Sequence, residues 1–121
     1  MMATIPTDTI IYKISPRAAW VAAVASDTFH GAPIDLADGY IHFSTAAQVA
    51  ETAAKHFRGQ ADLILIAIDA TALGDGLRWE PSRGGALFPH LYGPLDVAHA
   101  LDIHDLPLDA DGVPIIPPHI A

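Results

Sequence analysis

The sequence predicts an α+β domain. Two helix-forming segments lie in the N-terminal half, whereas the segments beyond residue 70 are mostly strands and turns. Between them, DLILIAID at 62–69 is almost continuously apolar, which is typical of a central strand covered on both faces. Strands that follow one another without helices favour antiparallel pairing. We predict one domain over residues 1–121, with a core at about 9–106 and a proline-rich tail at 107–121.

The chain begins with a strand and a helix. TIIYKI at 9–14 is rich in β-branched residues and predicts a strand. PRAAWVAAVAS at 16–26 follows as a helix with Pro16 in its first turn, and Trp20 and Val24, four residues apart, predict its buried face.

Two glycines and a proline mark residues 27–39 as a loop without a long regular element, which could cover a site. YIHF at 40–43 predicts a short strand. TAAQVAETAAKHF at 45–57 is the clearest helix, because Thr45 and Gln48 form a capping-box pattern. Its apolar stripe consists of Val49, Ala53 and Phe57.

The second half predicts a hairpin and a last strand. LRWEPS at 77–82 and ALFPHLYG at 86–93 form the hairpin, which Pro89 interrupts. VAHALDIHDL at 97–106 is the last strand, and four of the ten prolines fall in the tail, for which we expect an extended, packed or partly frayed course.

Composition excludes several classes of function. Six basic against fourteen acidic residues give a formal charge of -8, which repels a polyphosphate chain and disfavours bulk nucleic-acid binding. Cysteine is absent, so the chain has no disulfide, thiolate zinc site or cysteine nucleophile. The histidine spacings match no metal motif, and we predict no metal site. We expect a cytoplasmic protein without a leader or membrane span, and leave its oligomeric state open.

The first candidate site lies at 40–44. Strand alternation puts Ile41 and Phe43 on one face and the polar set Tyr40, His42 and Ser44 on the other. Because the helix pattern starts at Thr45, this polar face would lie beside free helix N–H groups, where anions bind. The alternative is a structural histidine with Ser44 or Thr45 acting only as a cap.

The second candidate site is RWEPSRGGALFPHLYG at 78–93. Glu80 could stabilise a developing cation or act as a base, and Arg83 could clamp a phosphate or carboxylate. Aromatic residues could stack on a planar ring. The alternative is a surface hairpin with solvated charges and a small aromatic core. The further polar and aromatic residues of this segment are Trp79, Phe88, His90 and Tyr92.

From about Ile10 to Ile103 the sequence resembles the family called domain of unknown function 952. The segments that carry the resemblance are IYKI, DGYIHFSTAAQVAETAAKHF, DLILIAID, LRWE and GGALFPHLYGPL. More distantly, the order of IHFS, a helix opening with TA, a LIAIDA strand and an aromatic hairpin resembles the catalytic domain of RNA 2′-phosphotransferases. Those enzymes belong to the ADP-ribosyltransferase-like superfamily. The resemblance implies split antiparallel sheets, two main helices in the N-terminal half, and NAD as a cofactor in a central cleft.

Residue by residue, His42 and Ser44 match the H-x-S of the phosphotransferase strand. Tyr12 and Lys13 occupy the position of a Tyr-His pair, so Lys13 replaces the histidine that holds the ribose of NAD. Glu80 lies one hairpin before the position of the superfamily's catalytic glutamate.

The resemblance implies transfer of ADP-ribose from NAD to a protein or small molecule. Breaking the nicotinamide–ribose bond develops oxocarbenium character, which a carboxylate stabilises. Glu80 and His90 are the catalytic candidates. The ligand-binding candidates are Tyr12, Lys13, Tyr40, His42, Ser44, Thr45, Arg83, Phe88 and Tyr92. The alternatives are a non-catalytic module that binds a small nucleotide ligand on the same fold, or a structural domain.

Overall fold

The computed structural model describes residues 9–82 and 85–120, which contain eight strands and three α-helices joined by loops and short 3-10 turns. Arg83 of the predicted site lies outside the described residues. In chain order the elements are β1 (Ile10–Pro16), α1 (Arg17–Ser26), β2 (Thr28–Phe29), α2 (Pro33–Asp38), β3 (Ile41–His42), α3 (Val49–His56), β4 (Leu63–Asp69), β5 (Leu77–Pro81), β6 (Leu87–Leu91), β7 (Leu95–Asp96) and β8 (Ala100–Leu106).

The strands form antiparallel sheets, which confirms the α+β prediction. The first sheet has the order β1-β4-β8, with β4 at its centre. A second sheet has the order β3-β6-β5, and β2 pairs with β7. We call the first the core sheet and the second the site sheet.

One short bridge joins the core sheet to the segment that leaves the site sheet. The amide of Tyr12 donates to the carbonyl of Ser44 at 2.8 Å, and the amide of Ser44 donates to the carbonyl of Tyr12 at 2.9 Å. Because Ser44 follows β3, this bridge holds β1 against the site sheet.

The hydrophobic core lies on both faces of β4, as its apolar run predicts. Ile64, Ile66 and Ile68 pack in one buried cluster with Trp20 and Phe29. On the other face, a second buried cluster consists of Ile14, Val49, Ala53, Leu63, Leu65 and Leu106. The helices α1 and α3 therefore contribute to opposite sides of the core sheet.

The predicted face of α1 is partly wrong. Trp20 is buried, but Ala23 joins it in the core whereas Val24 is 50% exposed. The small side chain of Ala23 lets the helix approach the sheet closely. Pro16 ends β1 and precedes the helix instead of lying in its first turn.

Residues 27–39, predicted as a loop, contain β2 and the short helix α2. Pro33 starts α2, and Gly39 ends it with a φ of 87°, so the helix has a proline at its beginning and a left-handed glycine at its end. Six residues are too few to show helical periodicity in the sequence.

α3 begins at Val49, four residues later than predicted. The amide of Thr45 donates to the side-chain oxygen of Gln48 at 3.0 Å, so the glutamine half of the capping box forms. The side-chain amide of Gln48 donates to the carbonyl of Leu87 at 2.7 Å and ties this turn to β6.

The proline-rich tail is packed. Ile116 and Ile120 pack against the buried cluster on the α3 side of the core sheet. The amide of Gly59 also donates to the carbonyl of Gly112 at 2.7 Å. None of the helices in the described ranges is both long and apolar enough to cross a membrane.

Candidate functional site

A cleft of about 600 Å³ opens beside the Tyr12–Ser44 bridge. This volume is within the range of small-molecule sites. Its apolar lining consists of Ile14, Pro16, Ala32, Pro33, Ile34, Phe43, Phe57 and Phe88. Its polar and aromatic lining includes Tyr12, Lys13, Asp38, Tyr40, His42, Ser44, Thr52, His56, Gln60, Ser82 and His90.

Strand alternation directs the polar face of 40–44 toward the cleft. Tyr40, His42 and Ser44 line the cleft, whereas Ile41 is buried away from it; Phe43 is buried but also contributes to the apolar lining. The hydroxyl of Ser44 lies 3.0 Å from that of Thr52 on α3. Alternation therefore predicts which polar side chains of this segment line the cleft.

At Thr45 the structure differs from the free helix N–H groups that the sequence predicts. α3 starts at Val49, and the Thr45 amide is already bonded to Gln48. Thr45 is also buried and is not among the residues that line the cleft.

Asp35 on α2 connects three segments around the cleft. Its Oδ1 accepts hydrogen bonds from His42 Nδ1 at 2.6 Å, the His42 backbone amide at 3.1 Å and Lys13 Nζ at 2.8 Å. Its Oδ2 accepts from the Ala32 amide at 2.7 Å and lies 2.7 Å from Lys13 Nζ. Burial alone would raise the pKa of Asp35, but His42 and Lys13 together lower it to about 2.

Lys13 is 2% exposed, and its ammonium faces both oxygens of Asp35. Burial lowers the pKa of Lys13, and the adjacent Asp35 charge opposes that shift. The positive charge predicted to hold a phosphate is therefore neutralised within the protein. A phosphate would have to compete with Asp35 for it.

A second carboxylate–histidine pair comes from the hairpin of β5 and β6. Glu80 Oε1 lies 2.7 Å from His90 Nδ1 and accepts a hydrogen bond from the Tyr92 hydroxyl at 2.8 Å. These two hydrogen bonds lower the pKa of Glu80 and keep it ionised. Burial lowers the pKa of His90, and Glu80 opposes that shift. Glu80 and Tyr92 lie behind His90 and are not among the lining residues.

Tyr40 brings the two pairs together. Its ring centroid lies 4.6 Å from that of His42, 4.3 Å from that of His90 and 5.1 Å from that of Tyr92. The two imidazole centroids are 5.5 Å apart. Burial raises the pKa of Tyr40, and the charges of Asp38 and Glu80 raise it further. One end of the cleft therefore has two histidines, each with a carboxylate at Nδ1.

Sequence reasoning did not identify Asp35 or Asp38. Asp38 Oδ2 lies 2.9 Å from His42 Nε2, so α2 contacts both nitrogens of that ring. The sequence P-I-D at 33–35 could have indicated Asp35. Proline is common at the start of a helix, and an acidic residue two positions later can accept a hydrogen bond from the amide before the proline, here that of Ala32. Within the described ranges, no group of three or more His, Cys, Asp or Glu residues is arranged to hold a metal ion.

The family described as "Protein of unknown function (DUF952)" matches residues 14–103. The chain belongs to this family. The DUF952 match contains β4, the site sheet with its hairpin and most residues that line the cleft, whereas Tyr12 and Lys13 precede it, and the description of the family states no activity. No curated protein matches the chain.

Solved structures share this DUF952 fold. The crystal structure of protein CC0527 from Caulobacter crescentus is 57% identical, with a TM-score of 0.89, over 93% of this chain and 98% of that one. A double-methionine variant of CC0527 is 56% identical over the same shares, also with a TM-score of 0.89. The solution structure of CC0527 is 57% identical, with a TM-score of 0.82, over 93% and 97% of the two chains.

Proposed function

We propose that the cleft binds a nucleotide of the NAD type and that the protein transfers ADP-ribose from it. The observation that carries this proposal is the pair of carboxylate-bound histidines, His42 and His90, whose ring centroids lie 4.6 and 4.3 Å from that of Tyr40. They lie at one end of an apolar cleft of suitable volume. The joined antiparallel sheets agree with the resemblance to the ADP-ribosyltransferase-like superfamily.

The proposed reaction exchanges one bond at ribose C1′. The bond from C1′ to the nicotinamide nitrogen breaks, and its electron pair leaves with nicotinamide. An acceptor nucleophile then bonds to C1′ and gives up its proton. Glu80 does not line the cleft, and its carboxylate, 2.7 Å from His90 Nδ1, stabilises the oxocarbenium character from beyond that ring. His90, whose lowered pKa favours the neutral imidazole at pH 7, accepts the proton.

The remaining roles follow from the geometry of the cleft. Tyr40 and Phe88 line the cleft where planar parts of the ligand would lie, and His42 Nε2 would exchange its contact with Asp38 for a hydrogen bond to a ribose hydroxyl. Because Asp35 neutralises Lys13, we do not assign phosphate binding to Lys13; Arg83, the other candidate from the sequence, lies outside the described residues.

The second candidate is a module that binds a small ligand without reacting with it. The neutralised Lys13 favours this alternative, because it is the one lysine or arginine among the described lining residues. Such a cleft suits a ligand with less negative charge than a dinucleotide.

Thermal unfolding with NAD, ADP-ribose, AMP and nicotinamide tests binding. A ligand at a hundred times its Kd stabilises the folded state by about 2.7 kcal/mol, so NAD is expected to raise the Tm. If none of the four compounds shifts the Tm, nucleotide binding is wrong.

Nicotinamide release separates the enzyme from the binding module. We expect Glu80→Gln to reduce release from NAD by at least tenfold while the NAD-induced Tm shift persists. Glu51→Gln, which removes an exposed carboxylate on α3, is the matched control and should release nicotinamide at the wild-type rate. Binding of NAD without release by the wild type would support the second candidate.

A further inference from the structure

We propose that Asp35 is a positioning residue that fixes the ring orientation of His42 and keeps its Nδ1 protonated, with Lys13 as its buried counter-charge. This inference rests on the proposed function only in assuming that His42 contacts the ligand. The carboxylate itself faces Lys13, Ala32 and His42, and its side chain has no exposed surface.

The hydrogen bonds of Asp35 place a proton on His42 Nδ1, while Nε2 faces a second carboxylate, Asp38 Oδ2, at 2.9 Å. The Oδ1 atom of Asp35 already accepts from the His42 amide and from Lys13, and Oδ2 accepts from the Ala32 amide. An ionised carboxylate has only acceptors. His42 Nδ1, 2.6 Å from Oδ1, must therefore be the donor. The same oxygen holds the backbone of His42, so the ring and strand are fixed together.

The local backbone is built around this carboxylate. Asp35 is the third residue of α2, from which its side chain returns to the amide of Ala32. Gly31 has a φ of +121°, and a Cβ at this position would lie 2.6 Å from the Asp35 Cβ. Any larger residue at Gly31 would therefore displace Asp35.

A purely structural role does not require charges at these two positions. Replacing a buried ion pair with apolar residues of similar volume is often neutral or stabilising, because it removes the cost of desolvating two charges. The Lys13–Asp35 pair is almost completely buried. What an apolar pair could not supply is the acceptor for His42 Nδ1.

Comparing a single variant with a double variant separates the effect of the Asp35 carboxylate from that of its counter-charge. Lys13→Met removes the counter-charge but keeps Asp35, whereas Lys13→Met with Asp35→Leu also removes the acceptor. Glu51→Leu with Lys55→Met removes an exposed ion pair of the same charges on α3 and is the matched control. If leucine is not accommodated at position 35, Asp35→Ala replaces Asp35→Leu in the double variant.

The first readout is the protonation of the imidazole nitrogens in long-range ¹H–¹⁵N NMR spectra. We expect a protonated His42 Nδ1 in the wild type, in Lys13→Met and in the control, and loss of this preference in the double variant. An unchanged His42 signal in the folded double variant would overturn the proposal.

The second readout is NAD affinity from titration calorimetry. We expect the double variant to lose at least tenfold in affinity, and Lys13→Met to retain most of it. If the wild type does not bind NAD, the proposed function fails while the NMR comparison still decides the role of Asp35. If affinity falls equally in both variants, the carboxylate is not the positioning group.

Discussion

At the scale of the residue, the two histidines of the cleft have different surroundings. His90 is buried, and its Nδ1 lies against Glu80. The His42 side chain is 32% exposed, and both its nitrogens face carboxylates of α2. We therefore keep His90 as the candidate proton acceptor, whereas the two carboxylates of α2 hold the ring of His42 in place.

Glu80→Gln is expected to lower the pKa of His90 further. Burial already lowers it, and the Glu80 charge acts in the opposite direction, so removing this charge leaves burial less opposed. In the unfolded chain His90 has its ordinary pKa of about 6.5, whereas the folded variant binds this proton only at a lower pH. Acidification therefore begins to destabilise the fold as the pH falls below about 6.5. A titration of the His90 ring proton shifts by NMR measures the midpoint, with Glu51→Gln as control. A higher midpoint would contradict the assignment.

The position of a side chain was predictable where strand alternation or hairpin pairing determines which way it points. Alternation predicts that Tyr40, His42 and Ser44 share a face, and the hairpin brings Glu80 close to His90 through the pairing of β5 with β6. Asp35 has no comparable signal. Its main partner, Lys13, lies 22 residues away, and only the tertiary fold brings the two together.

At the scale of the element, α1 shows why a helix face is difficult to predict. Its sequence RAAWVAAVAS is apolar almost all round, so spacing alone does not distinguish Ala23 from Val24. The buried face of α1 is the one that lets the helix approach the core sheet most closely, so the small Ala23 is buried and the larger Val24 is not. α2 and the start of α3 were similarly decided by contacts with other elements, through Asp35 and Gln48.

Two substitutions in α1 test this orientation. Ala23→Leu is expected to destabilise the protein by about 1–3 kcal/mol, because the added atoms overfill a packed core. Val24→Ala is expected to change stability by less than about 0.5 kcal/mol, because this position is half exposed. Urea denaturation measures both free energies of unfolding. The reverse order of effects would mean that the helix is rotated.

At the scale of the whole molecule, element order was sufficient to predict the α+β class and the central strand. It was not sufficient to predict how the sheets meet. The isolated contact between Tyr12 and Ser44 involves one residue from each segment, and no sequence pattern marks such a pair.

The Tyr12–Ser44 bridge also provides a way to measure ligand binding in the cleft before the reaction or the ligand is known. Lys13 and Ile14 on β1 line the cleft together with His42 and His90 of the site sheet, so a bound ligand contacts both sheets. If opening the bridge requires release of the ligand, a ligand at a hundred times its Kd slows hydrogen exchange at the Tyr12 and Ser44 amides about a hundredfold. Unchanged exchange with ligand bound would show that the sheets separate independently of it. These two amides are thus an intrinsic reporter of occupancy, with which unrelated compounds can be compared on a single scale.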